Sequence, residues 1–304
     1  MLKLEHTKGP RPVYVILSVD TEHDITAYGT KTAGWSKGIP LLFEVFDTSG
    51  VRGKVCWLIE YDLKEGIMAA NPDSRFLVKE FPALIQQIKN RGDELGLHPT
   101  MYDWLGGERN IPVSPYNAPK LWDFNRSCLD PDFVMTLITY GTNEFRKVCG
   151  VNPTGCRTGA FHYATHLATA LEKNNIYLDS SARRRLRHWV TAPNAYYAAR
   201  DDIHKVSAET HVLEIPTTGC IGKGWTAPWL RLKSRFLLES REPIFLSFFM
   251  HNWQALTING GADTQYLGFL SSFLRLLTSH GATFLSWTQA YKVYAETMSM
   301  LTTK

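Results

Sequence analysis

Apolar runs of strand length alternate with amphipathic stretches along most of the chain. VYVILSVD (13–20) and KVCWLIE (54–60) read as strands, and the stretch GIPLLFEVFDTSG between them repeats Leu41, Leu42, Val45 and Phe46 at helical spacing. The next helix spans 74–91 and stops at Gly92, ahead of a strand in DELGLHP. Asp130-Pro131 has the form of an N-cap with proline at the first helical position, and opens a helix that runs to about Val148. TGCRTGAF is predicted as a strand, ATHLATALEKNN as a helix and IYLDSSA as a strand. Over 183–210 the periodicity gives way to a polar stretch rich in Tyr and Arg, and it resumes at VLEIPTTG. WLRLKSRFLLES reads as a helix, PIFLSFFMH as a fully apolar strand, 264–280 as a helix, ATFLSW as the last strand, and Thr288 begins a closing helix.

This alternation predicts an α/β fold, a single-domain distorted (β/α) barrel of about seven parallel strands joined by right-handed crossovers. With 304 residues and 44% apolar content the chain can bury a core large enough for one barrel or two smaller domains. The alternation, resumed after that stretch, favours one domain over 1–304, with 183–210 as an insertion over the active-site face. The charge balance is 33 basic against 29 acidic residues, and the only basic run, Arg183-Arg184-Arg185-Leu186-Arg187, is short. A nucleic-acid partner is therefore not expected. No window has the length and apolarity of a transmembrane segment. Five cysteines without a C-x-x-C pair argue against a disulfide framework or a structural zinc site. The opening MLKLEHTKGPRP lacks the apolar centre of a signal peptide, so a cytoplasmic location is expected, while the oligomeric state is left open.

On this frame the chemistry-bearing residues fall at strand ends. Asp20 and Glu22 follow the first strand, His98 the third, Arg157 the fourth and Asp179 the fifth, and His251 ends PIFLSFFMH. Singly, each reads as a helix cap or a satisfied polar group. Together they occupy the C-terminal rim, where the loops of a β/α barrel converge on its active site. Serine-hydrolase elbow, P-loop and dinucleotide fingerprints are missing, and the set fits metal-assisted hydrolysis: a carboxylate and a histidine to hold a cation, a second carboxylate as base, a second histidine as acid.

SVDTE, ELGLHPTMYDW, GCRTGAF, YLDSS and LSFFMHNW occur in the order of five motifs, and over roughly residues 13–290 the chain resembles the polysaccharide deacetylases, the NodB-homology or carbohydrate esterase family 4 group. The resemblance implies a metal-dependent hydrolase that removes an N-acyl group, above all N-acetyl, from an amino sugar of a surface polysaccharide or glycan precursor. It makes Asp20 the catalytic base, Arg157 the residue that steadies it, Asp179 the acid that positions Arg157, and His251 the general acid. Glu22 and His98 become metal ligands for a divalent cation, zinc first, with Mn, Co and Mg as alternatives. Tyr102 stands where the family has its second metal histidine, and Asp103 beside it offers an oxygen ligand instead. Trp253, Trp225 and Phe161 are candidate sugar contacts. His162 and His166 share helical i, i+4 spacing but read as the start of a surface helix. Two alternatives stand beside this reading: an amidohydrolase or deformylase on a small non-polymeric amide, and a metal-poor, non-catalytic glycan-binding barrel.

Overall fold

In the computed structural model, which describes residues 12–21, 33–59, 80–99, 131–159, 166–182, 203–222 and 244–302, the first apolar run becomes β1 (Val13–Thr21). No residue of β1 is exposed, so both faces need cover and both edges need partners. One edge pairs in parallel with β8 (Ile244–His251); the other pairs with β9 (Thr283–Leu285) along its first half and β2 (Val55–Ile59) along its second. β3 (Glu94–Leu97) continues from β2. Cys156 then bridges Leu97 of β3 to Asp179 of β4 (Leu178–Asp179), and β4 pairs with β6 (Leu213–Glu214).

The ring closes through a change of partner. The backbone N–H of Ile215 still donates to Asp179 and that of Thr217 to Ala182, but the N–H of Thr218 donates to Ser247 of β8, at 2.7, 2.8 and 2.7 Å. β7 (Gly219–Cys220) then pairs with β8. Counting the β6–β7 segment and the Cys156 segment as one stave each, the ring has seven parallel staves among the described residues, and β9 adds a further parallel strand along the first half of β1. Among the described strands one pairing is antiparallel: β5 (His204–Lys205), inside the stretch read as an insertion, lies along β6.

Strand alternation separates two apolar layers. Ile16, Cys56, Leu58, Leu178, Leu213 and Ile215 cluster inside the barrel with Leu285 and Trp287. Val15, Leu17, Val19, Trp57, Ile59 and Leu97 face outward onto buried residues of α1 (Ile39–Thr48), α2 (Phe81–Asn90), α3 (Pro131–Cys149), α4 (Leu167–Lys173) and α5 (Thr264–Ser279). Each such fully buried side chain contributes about 1.5–3 kcal/mol, so these stripes outweigh local helix propensity in fixing the helices. α6 (Trp287–Thr302) plugs the N-terminal end of the barrel, with Trp287 fully buried against Gly155. The Glu94 carboxylate caps this helix, accepting from Ser286 Oγ at 2.8 Å, Trp287 N at 2.8 Å and Thr288 N at 3.1 Å.

Candidate active site

Ser18 and Asp20 are two residues apart on β1 and so face the same way, into the barrel mouth. Between them lies the Arg157 guanidinium, fully buried. Nη1 donates to Asp20 Oδ1 at 2.7 Å and Ser18 Oγ at 2.9 Å; Nη2 donates to Ser180 Oγ at 2.9 Å and Thr217 Oγ1 at 3.4 Å; Nε donates to Ser180 O at 3.1 Å. The Phe249 ring lies 5.1 Å from the guanidinium carbon. A buried cation is tolerable here because one carboxylate balances its charge and hydroxyl and carbonyl oxygens take its other donors.

His98 is tied to the same arginine from its other end. Its Nδ1 lies 2.7 Å from the Arg157 carbonyl oxygen, and its own backbone N–H donates to Ile59 O at 2.9 Å. A carbonyl only accepts, so Nδ1 carries the proton, and in the neutral ring Nε2 carries the lone pair. Metal-binding histidines are prepared in this way, with the far nitrogen donating to a carbonyl.

His251 ends β8 as the direct strand partner of Asp20. Its ring stacks on Trp253 with centroids 4.9 Å apart, and meets the Phe249 ring edge-on at 5.6 Å. The following turn, residues 252–255, is fastened twice. Gln254 Oε1 accepts from the His251 backbone N–H at 2.9 Å and lies 3.3 Å from the Tyr266 hydroxyl, which in turn reaches Ile221 O at 2.8 Å. The π-helical turn Gly34–Gly38 packs directly on it, and a methyl group at Gly38 would overlap the Asn252 carbonyl oxygen.

Asp179 is buried but takes a different place. Its Oδ1 accepts from Ser181 Oγ at 2.6 Å and from Ser181 N at 3.2 Å, and across the β4–β6 pair it stands opposite Glu214. Burial pushes its carboxyl up to about 6. Burial, and then the neighbouring Asp179 charge, push Glu214 well above the usual carboxylate range. The hydrogen bonds that seat Arg157 on this segment come from Ser180, the next residue along, whose side chain alternates to the inner face.

The structure thus brings together Asp20, Arg157, His98 and His251, with Trp253 stacked on the last. Glu22, Tyr102, Asp103, Phe161, Trp225 and His162 lie outside the described residues. His166 sits just ahead of α4. Among the described residues no three His, Cys, Asp or Glu side chains are grouped so as to hold an ion. Sequence reasoning missed Ser18, Ser180, Thr217 and Glu214. The first of these had a signal, since Ser18 stands at i−2 from Asp20 on the same strand face.

No family model and no curated protein matches the chain. Among solved structures it is similar to a Mycobacterium smegmatis protein provisionally assigned as a polysaccharide deacetylase, at 14% identity and a TM-score of 0.60, covering 96% of this chain and 93% of that one. It is also similar to the 4-alpha-glucanotransferase of Thermococcus litoralis, at 12% identity and a TM-score of 0.56, covering 92% of this chain and 40% of that one. Both likenesses are of fold. The two names describe different reactions, so the barrel does not select the chemistry and the site has to.

Proposed function

We propose that this barrel, a single domain over 1–304 with 183–210 arranged over its mouth, is a metal-dependent hydrolase that removes an N-acyl group, above all N-acetyl, from an amino sugar of a surface polysaccharide or its precursor. The observation that carries the reading is the joint between Asp20, Arg157 and His98. One buried arginine holds the proposed base by its guanidinium and sets the tautomer of the proposed metal ligand by its carbonyl. The carbohydrate names of both similar barrels support the substrate class.

In this reading Arg157 occupies Asp20 Oδ1, so the proton of the attacking water is taken on Oδ2. His251, across the β1–β8 pair, protonates the departing amine, and the Trp253 ring keeps it oriented. A divalent cation, zinc first with Mn, Co or Mg as alternatives, held by His98 with Glu22 and with Asp103 or Tyr102, would polarise the acyl carbonyl and acidify the water. Trp253, Trp225 and Phe161 would contact the sugar ring.

A second reading, a carbohydrate-binding barrel without catalysis, is favoured by a specific observation. The His251–Trp253 stack offers a flat face that needs no ion to receive a sugar ring. Acetate release from acetylated amino sugars, free and nucleotide-linked, with and without added Zn, Mn or Co, separates the two. The hydrolase releases acetate only with metal, and Asp20→Asn lowers the rate by about 10²–10⁴-fold. Saturable sugar binding with no acetate release, equal in wild type and Asp20→Asn, selects the binding protein.

A further inference from the structure

Asp179 and Glu214 are directly paired residues on adjacent parallel strands, and each is 1% exposed. Neighbouring strands are about 4.8 Å apart, so side chains on one face of such a pair touch. One oxygen of each carboxyl group is accounted for: Asp179 Oδ1 accepts from Ser181, and Glu214 Oε1 accepts from Ala182 N at 3.1 Å. The other two, Asp179 Oδ2 and Glu214 Oε2, are fully buried and have no hydrogen-bond partner among the described residues. Two anions in this arrangement would repel each other in a poorly solvated site and leave both oxygens unsatisfied. A single proton between them removes both costs.

We infer that Asp179 and Glu214 share one proton across the β4–β6 pair, and that this bond is a positioning device that holds Ser180 beneath the Arg157 guanidinium. The surroundings supply no simpler answer. Arg157 donates to Asp20, Ser18, Ser180 and Thr217, on the other face of the strands. Cys156, paired with Asp179 on its other side, is kept as a thiol by burial. His204 faces Glu214 from β5 and is the remaining titratable neighbour in the row.

What the pair fixes is the segment 179–182. Asp179 binds Ser181, whose Oγ accepts from Thr158 N at 3.0 Å, and Glu214 binds Ala182. Ser180, clamped in the middle, donates from Oγ to Ile215 O at 2.8 Å and offers both its oxygens to Arg157. Loss of the shared proton places two negative charges side by side and pushes β4 from β6, which loosens the seat of Arg157 and through it Asp20. Glu214 is thus a positioning residue that never meets substrate.

The sign of the pH dependence follows. The folded state holds a proton that an unfolded carboxyl, with a pKa near 4, releases. The stability it confers is complete below that value and is lost as pH rises through the higher folded value. In between, each extra proton held by the folded state raises the unfolding equilibrium constant about tenfold per pH unit.

The pairing rests on geometry alone, and only its effect on Asp20 rests on the proposed hydrolase. Three variants test it: Glu214→Gln, whose amide donates to Asp179 and accepts from Ala182 without titrating, Glu214→Ala, which supplies neither, and His204→Gln as a control for the facing ring. Infrared spectra of wild type at pH 7 should contain a protonated-carboxyl stretch that Glu214→Gln lacks and His204→Gln keeps. In denaturant unfolding between pH 6 and 8, the wild-type equilibrium constant should rise about tenfold per pH unit relative to Glu214→Gln, and Glu214→Ala should be less stable than either. Acetate release should fall more steeply toward alkaline pH in wild type than in Glu214→Gln, which keeps only the alkaline limb of the general acid His251. No such band, parallel slopes in wild type and Glu214→Gln, or a Glu214→Gln chain that does not fold would each overturn the shared proton. An intact band and slope with no acetate release under any condition would overturn the hydrolase reading and leave the pair standing.

Discussion

Arg157 makes an unusual demand on a barrel interior, where a leucine would cost nothing to desolvate. Its ion pair with Asp20 is buried on both sides, with side-chain exposures of 0% and 3%. Removing one partner strands the other: Arg157→Met should destabilise the protein by about 3–5 kcal/mol, read as a shift in denaturant midpoint. Replacing both, Asp20→Leu with Arg157→Met, should recover much of that loss, since an apolar pair of similar volume carries no unpaired charge. A double variant more stable than either single one would show that the pair is kept for something other than stability. Asp20 was legible because it interrupts an apolar run at a strand end, and Arg157 because GCRTGAF stands third in the order of the five motifs. Their partners Ser180 and Thr217 were not, since a hydroxyl within a strand reads as an ordinary alternation, and only the strand order shows that both meet one guanidinium.

At the scale of elements, the placing of His251 depends on a contact between two short turns. Gly34–Gly38 and 252–255 approach so closely that Gly38 admits no side chain. Gly38→Ala should cost about 1–3 kcal/mol by forcing the backbone apart, and should reduce activity more than a surface Gly→Ala change, measured by thermal unfolding and acetate release on the same preparations. Long apolar strands were the most legible elements: β1, β2, β3 and β8 fall within a residue or two of their runs, as does α5. TGCRTGAF, expected as a strand, contributes a single bridging residue, Cys156, and IYLDSSA a two-residue strand. Backbone bonds still join these short segments, Cys156 N donating to Leu178 O and Ser180 N to Cys156 O at 2.9 Å each, and side chains add to them: Arg157 Nε bonds Ser180 O, and Ser181 Oγ receives Thr158 N. β5 escaped notice because the composition around it is that of a loop, although His204 is buried. Glu214 escaped because one acid in VLEIP looks like a solvent-facing position, and its partner lies 35 residues back (214 − 179 = 35) on a strand whose neighbour no local rule names.

Taken whole, the described part of the molecule is a ring closed by a segment that changes partners, with three of its four described thiols buried. Burial pushes Cys149 up to about 12 and raises Cys56 and Cys156 well above the ordinary thiol range. Of the four described cysteines only Cys220 is partly exposed. Titration of the native protein with a thiol reagent, followed by peptide mapping, should label Cys220 and leave the other three untouched until denaturant is added. Helices long and apolar enough to cross a bilayer are not found among the described residues.

The central place of β1 also sets a timetable. β1, the earliest of the described strands, has β2 close behind it, but its other edge waits for β8, with Ser18 bonded to a carbonyl 230 residues later. At 5–20 residues per second that delay on a ribosome is on the order of ten seconds or more. Throughout it, an apolar strand edge of the kind that templates aggregation has no native partner. Vectorial synthesis therefore leaves the strand that carries Asp20 exposed longest among the described strands, since its partner β8 is made so late.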